Sequence, residues 1–240
     1  MTSRSEHTPA ISRRPFGEIQ KQDVSIPPRG LPGILCVPQG AQAIVIFAHG
    51  SGSSRFSPRN SAVAAALNAQ GMATLLLDLL TPEEEADRAN VFDIALLAAR
   101  LGDAVRWSGH RASVGHLPIG LFGASTGAAA ALVAAAGLHT EIGAVVSRGG
   151  RPDLAGEALA RVHAPTLLIV GGADFGVIEL NQDAFRQLQC VKALEIVPEA
   201  THLFPEPGAL EAVTGYAARW FKQHLVPHGH ERGRAEGHAV

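Results

Sequence analysis

Short, uninterrupted apolar runs recur along this chain, and each is followed by a stretch with helical spacing. The runs cover residues 43–48, 73–77, 119–122, 142–146, 166–170 and 193–197. Apolar runs of this length, with no polar residue on alternate positions, are expected of strands covered on both faces. The segments between them read as helices over 60–69, 83–107, 125–136, 154–160 and 177–188, with a last one over 207–224. The 83–107 segment carries its acids early and its arginines late, as the helix dipole favours. Ahead of them, 19–26 and 33–37 alternate polar and apolar residues and read as an edge hairpin. Strands alternating with helices fold as an α/β protein. The expectation is a mostly parallel central sheet of about seven or eight strands with helices on both faces. Ligands of such sheets bind beyond the carboxyl ends of the strands.

The residues just after the strands therefore matter most. In chain order they are His49-Gly50-Ser51-Gly52, Asp78, Ser125, Ser147-Arg148, Asp174 and His202. Ser125 lies in Gly123-Ala124-Ser125-Thr126-Gly127, between a strand and a helix. A Gly-x-Ser-x-Gly placed there marks a tight turn that lifts the serine above the sheet, beside free N–H groups of the helix start. Taken alone, the motif also fits an ordinary glycine-flanked helix start. A serine hydroxyl needs a base within reach, and His202 is the histidine in position. His110, His116, His139 and His163 precede strands or sit in turns at the other face, and His7 and His238 lie near the termini. Asp174 orients the imidazole, with helix N-capping as its competing use. Asp78 is the rival acid. Asp174 is preferred because serine, acid and histidine then follow the chain order that α/β-hydrolases use. The expected oxyanion donors are the backbone N–H groups of Thr126 and Ser51, with Gly52 as alternate. His49 shapes their loop. Arg55, Arg59, Arg148 and Arg151 also gather at strand ends. They read either as an anion-binding rim or as loop ties pairing with Asp153 and Glu206. Ties are favoured, because structural ion pairs outnumber substrate clamps. The expected substrate-contacting set is His49, Gly52, Arg55 and Arg148.

From about Ile19 to His224 the chain resembles the α/β-hydrolases, and among them the dienelactone-hydrolase-like proteins. The resemblance rests on His49-Gly50-Ser51-Gly52-Ser53-Ser54-Arg55, Gly123-Ala124-Ser125-Thr126-Gly127, Gly171-Gly172-Ala173-Asp174 and Ala200-Thr201-His202-Leu203-Phe204. It implies hydrolysis by a serine or cysteine nucleophile with the residues above, and no metal or organic cofactor. Serine stands here where dienelactone hydrolases carry cysteine, which favours a small carboxylic ester, lactone or thioester over a dienelactone. Only residues 147–156 separate the sixth strand from the next helix, so no lid is expected and the site should be open. Acyl transfer or perhydrolysis by the same residues is an alternative, and so is a non-catalytic binding module on the same scaffold.

The remaining features mostly exclude. Charged residues are 18% and the net charge is −2, so nucleic acid is not an expected partner. No apolar run is long enough to span a bilayer, and residues 1–15 lack a signal-peptide core, which points to the cytoplasm. Walker and dinucleotide glycine motifs are absent. Residues 1–16 and 226–240 read as disordered arms around a domain over 17–225. His224, His228 and His230 read as tail rather than a metal site. Cys36 and Cys190 read as free thiols. The expected partner is a small-molecule ester, and the protein a monomer or homodimer.

Overall fold

The computed structural model describes residues 18–139 and 141–226. The expected arms at 1–16 and 226–240, His228 and His230 included, lie outside the described residues, apart from Val226.

Eight strands form one sheet: β1 (Ile19–Ile26), β2 (Leu31–Pro38), β3 (Ala43–Ala48), β4 (Met72–Leu77), β5 (Ile119–Ala124), β6 (Ile142–Arg148), β7 (Thr166–Gly171) and β8 (Lys192–Val197). Their order is β1-β2-β4-β3-β5-β6-β7-β8. The β1–β2 hairpin is antiparallel and adds to β4 antiparallel; every later pairing is parallel. The apolar runs explain the centre, since every residue of β3, β4 and β7 is buried.

The helices are α1 (Pro58–Asn68), α2 (Pro82–Glu85), α3 (Arg88–Val91), α4 (Ile94–Gly109), α5 (Thr126–Leu138), α6 (Phe175–Gln187) and α7 (Ala209–Leu225), with a 3-10 segment at Pro152–Arg161. α1 and α7 cover one face of the sheet. There Val63, Leu67, Val213 and Phe221 pack on Val45, Phe47, Phe122 and Val146. α4, α5 and the 3-10 segment cover the other, with Leu97, Leu101, Leu132 and Leu159 against Ile44, Ile46, Leu121 and Leu168. α5 is alanine-rich because it is buried on nearly every side.

One expectation needs correction. The single helix over 83–107 is three helices. Thr81, Asp87 and Asp93 each accept a hydrogen bond from a backbone N–H at the start of the next helix, so each begins a new one. The acids read as the early part of one helix are partly N-caps. The short helix expected over 154–160 is present as the 3-10 segment, with a break at Gly156, where φ is 52°.

Candidate active site

Parallel pairing brings the functional loops together. Ala48 of β3 lies opposite Gly123 of β5, and Ala124 lies opposite Arg148 of β6. The loop 49–54, the turn at Ser125 and the end of β6 are therefore neighbours at the carboxyl ends of central strands.

Ser125 is the N-cap of α5, with φ 51° and ψ −123°. A serine at positive φ is strained, by about 1–3 kcal/mol. Its surroundings hold it there. The Ser125 N–H donates to Arg148 O at 3.3 Å, and the Arg151 N–H donates to Ser125 O at 3.1 Å. The flanking glycines allow close approach. A Cβ on Gly123 would lie 2.4 Å from Ala128 Cα, and one on Gly127 would lie 2.3 Å from Ala48 O. This is the geometry the motif anticipates.

His202 lies in the loop after β8, and its Nδ1–H donates to Asp174 Oδ2 at 2.7 Å. That bond leaves Nε2 with its lone pair. Asp174 occupies the N-cap position of α6 but makes no side-chain capping bond there. The competing use of this carboxylate is thus not taken up. Asp78, the rival acid, binds the Arg55 N–H at 2.6 Å and pairs with the Arg55 guanidinium. Ser125 and His202 line one cavity of about 260 Å³. Among the described residues, no hydrogen bond joins His202 to Ser125; unliganded enzymes commonly keep this bond long and shorten it around substrate.

The expected oxyanion donors differ in state. The Thr126 N–H opens α5, where helix geometry supplies no acceptor. The Ser51 N–H instead donates to Thr126 Oγ1 at 3.0 Å. His49 is committed to the scaffold on both nitrogens: Nδ1 bonds Gly50 O at 2.9 Å, and Nε2 receives the Leu79 N–H at 3.3 Å. It ties the 49–54 loop to the loop after β4, the shaping role its position implied. Gly52, at φ 67°, faces a narrower pocket of about 50 Å³ lined by Leu79, Leu80, Val91 and Leu97.

The four strand-end arginines divide. Arg55 is a loop tie to Asp78, and Arg151 forks onto Asp153 at 2.9 and 2.7 Å. Glu206 binds Thr201 rather than an arginine. Arg59 and Arg148 both line the Ser125 cavity, and neither has an ion-pair partner among the described residues. Arg148 is 6% exposed and donates to Asn60 Oδ1 at 3.0 Å. Burial and the nearby Arg59 push its pKa down to about 10, so it stays charged at neutral pH. Asn60, which anchors it, carries no motif and was not legible in the sequence. Cys36 and Cys190 are free thiols, and burial raises the Cys36 pKa. No three His, Cys, Asp or Glu side chains among the described residues converge to hold a metal ion, and no described helix is long and apolar enough to cross a membrane.

Comparison with known proteins places this geometry. The dienelactone hydrolase family model matches residues 31–225. A dienelactone hydrolase from Anabaena variabilis is 56% identical, with a TM-score of 0.82 over 87% of this chain and 98% of that one. Est1E from Butyrivibrio proteoclasticus shares the fold at 18% identity, with a TM-score of 0.72 over 84% of this chain and 98% of that one. A protein named "Putative phosphoribosyl transferase" from two Mycobacterium tuberculosis strains is 59% identical over 197 residues, 82% of this chain and 44% of that protein. The chain thus spans less than half the length of these relatives.

Proposed function

Because the chain belongs to the dienelactone hydrolase family, we propose that it is a serine hydrolase that cleaves a small carboxylic ester, lactone or thioester through an acyl-enzyme on Ser125. The observation that carries this reading is the 2.7 Å bond from His202 to Asp174, made beside a cavity that also holds Ser125 on a strained turn.

The chemistry follows from the tautomer. With Nδ1–H held by Asp174, His202 Nε2 takes the proton of Ser125 as Oγ attacks the ester carbonyl. Asp174 steadies the imidazolium that results. The carbonyl oxygen becomes an oxyanion and is received by the Thr126 N–H at the positive end of α5. The Ser51 N–H is the second donor, turning from Thr126 Oγ1 to the stronger, charged acceptor. Nε2–H then protonates the leaving group, which departs. Water enters, gives its proton to Nε2 and attacks the acyl carbonyl. The second tetrahedral intermediate collapses as Nε2–H returns the proton to Oγ, which frees the acid and restores Ser125. β6 ends at Arg148 and the 3-10 segment begins at Pro152, which leaves no room for a lid between them. The site is thus open to water, as a small soluble ester requires.

The test is p-nitrophenyl acetate turnover together with labelling by a fluorophosphonate. Wild-type protein is expected to hydrolyse the ester and take the label on Ser125, and Ser125→Ala to do neither while staying folded. Full turnover by Ser125→Ala would end this reading.

A further inference from the structure

Two buried or half-buried arginines share the Ser125 cavity without a carboxylate between them. Burying a charge with no counter-charge costs several kcal/mol, and folded proteins normally avoid it. Arg100 shows the ordinary solution. It is 8% exposed, about as buried as Arg148, and Glu84 lies 2.6 Å from its guanidinium. Arg148 has only the neutral amide of Asn60. The Nε atoms of Arg59 and Arg148 are buried with no hydrogen-bond acceptor, as is that of Arg100, so it is the missing carboxylate that sets the pair apart. No acidic side chain lines the cavity among the described residues. Asp174 is engaged by His202.

The positive potential has a third source. Arg59 and Asn60 stand in the first turn of α1, whose N-cap is Ser57, and all three line the cavity. The dipole of this 11-residue helix adds partial positive charge at the same place. Ser57 Oγ accepts the Asn60 N–H at 3.4 Å, which leaves its hydroxyl proton to donate into the cavity. These groups converge on one cavity, with the register of β5 on β6 carrying Arg148 to the side of Ser125.

We propose that Arg59 and Arg148 form a subsite for a phosphate monoester group, so that the ester opened at Ser125 belongs to a phosphorylated small molecule. This deepens the hydrolase reading and rests on it. Charge selects the group. Two guanidiniums carry two positive charges, a carboxylate offers one negative charge, and a phosphate monoester offers about 1.5 to 2 at neutral pH. Shape agrees, because planar guanidinium forks bind phosphate oxygens in pairs. A bound anion would also offset the mutual repulsion of the two guanidiniums. The phosphate takes no part in bond making; it anchors the substrate with its ester carbonyl over Ser125.

Inorganic phosphate is the probe, titrated calorimetrically into the full chain at fixed ionic strength, with acetate in parallel. Phosphate is expected to bind at least tenfold more tightly than acetate and to slow fluorophosphonate labelling of Ser125. Arg59→Met and Arg148→Met are each expected to weaken phosphate binding at least tenfold. Arg59 is only half-buried, so Arg59→Met carries the test if Arg148→Met fails to fold. Wild-type protein that turns over p-nitrophenyl acetate but does not bind phosphate overturns the subsite and leaves the hydrolase reading standing. Phosphate affinity unchanged by Arg59→Met, or equal affinity for acetate, also overturns it. Phosphate binding lost on Arg59→Met, in a protein that neither turns over the ester nor takes the label, keeps the anion site and removes the ester chemistry.

Discussion

The loop 49–54 divides the carboxyl end of the sheet into two unlike regions. On one side lie Ser125 and His202 with Arg59 and Arg148, in a cavity without acids among its described lining residues. On the other lie Asp78, Glu85 and the apolar side chains of Leu79, Leu80, Val91 and Leu97, in a narrower pocket. Arg55 serves that second side, and Asp78 neutralises it. Both regions combine strand-end loops of one sheet with residues of neighbouring helices, so fold alone does not set them apart. The difference is charge compensation. Where Arg55 meets a carboxylate, it fastens a loop; where Arg59 and Arg148 meet none, the charge is left open for the proposed anion.

That contrast can be broken at graded cost. Ser125→Ala removes the proposed nucleophile from the cationic side, and kcat/KM for p-nitrophenyl acetate should fall on the order of 10⁴-fold or more, measured beside a melting curve that stays near wild type. Asp174→Asn should lower kcat about 10³- to 10⁴-fold, because an amide holds the wrong imidazole tautomer. Since the Asp174 side chain caps no helix, the melting temperature should barely move, and a large drop would assign this residue to folding instead. Arg55→Met works on the other side of the loop. It should cost about 0.5–1 kcal/mol of stability by denaturant titration and leave phosphate affinity within about twofold of wild type. A tenfold loss of phosphate affinity there would erase the distinction between the two arginine pairs. Thr126→Val touches the boundary itself, since Thr126 Oγ1 accepts the Ser51 N–H. With backbone groups as the donors, kcat should stay within about threefold of wild type; a loss of 10²-fold or more would make the threonine hydroxyl the oxyanion donor.

Much of this was legible before folding was considered. Apolar runs without alternation located β3, β4 and β7, and the glycines at 123 and 127 located the turn at Ser125. The order of Ser125, Asp174 and His202 picked Asp174 over Asp78, and the structure pairs Asp174 with His202. What misled was local ambiguity. Asp87 and Asp93 read as early acids of one long helix, yet a short carboxylate bonds a backbone N–H as readily as it faces solvent, and both start new helices. The arginines came out in part: the expected tie of Arg151 to Asp153 is present, and the one to Glu206 is not. A side chain with several rotatable bonds takes its partner from whatever the sheet register sets beside it, so sequence grouped four residues that the fold separates into two ties and two unpaired charges.

Sequence alone therefore determined the layered α/β arrangement, the strained serine turn and the pairing of Asp174 with His202, because these depend on short-range pattern and on the order of strand ends. Tertiary structure decided which charges are answered. Arg148 reaches the serine only because Ala124 pairs with it across two parallel strands, and Arg59 joins it only because α1 begins over the same strand ends. Compensation of charge is a matter of distance and desolvation between segments far apart in the chain, and no local pattern of residues encodes it.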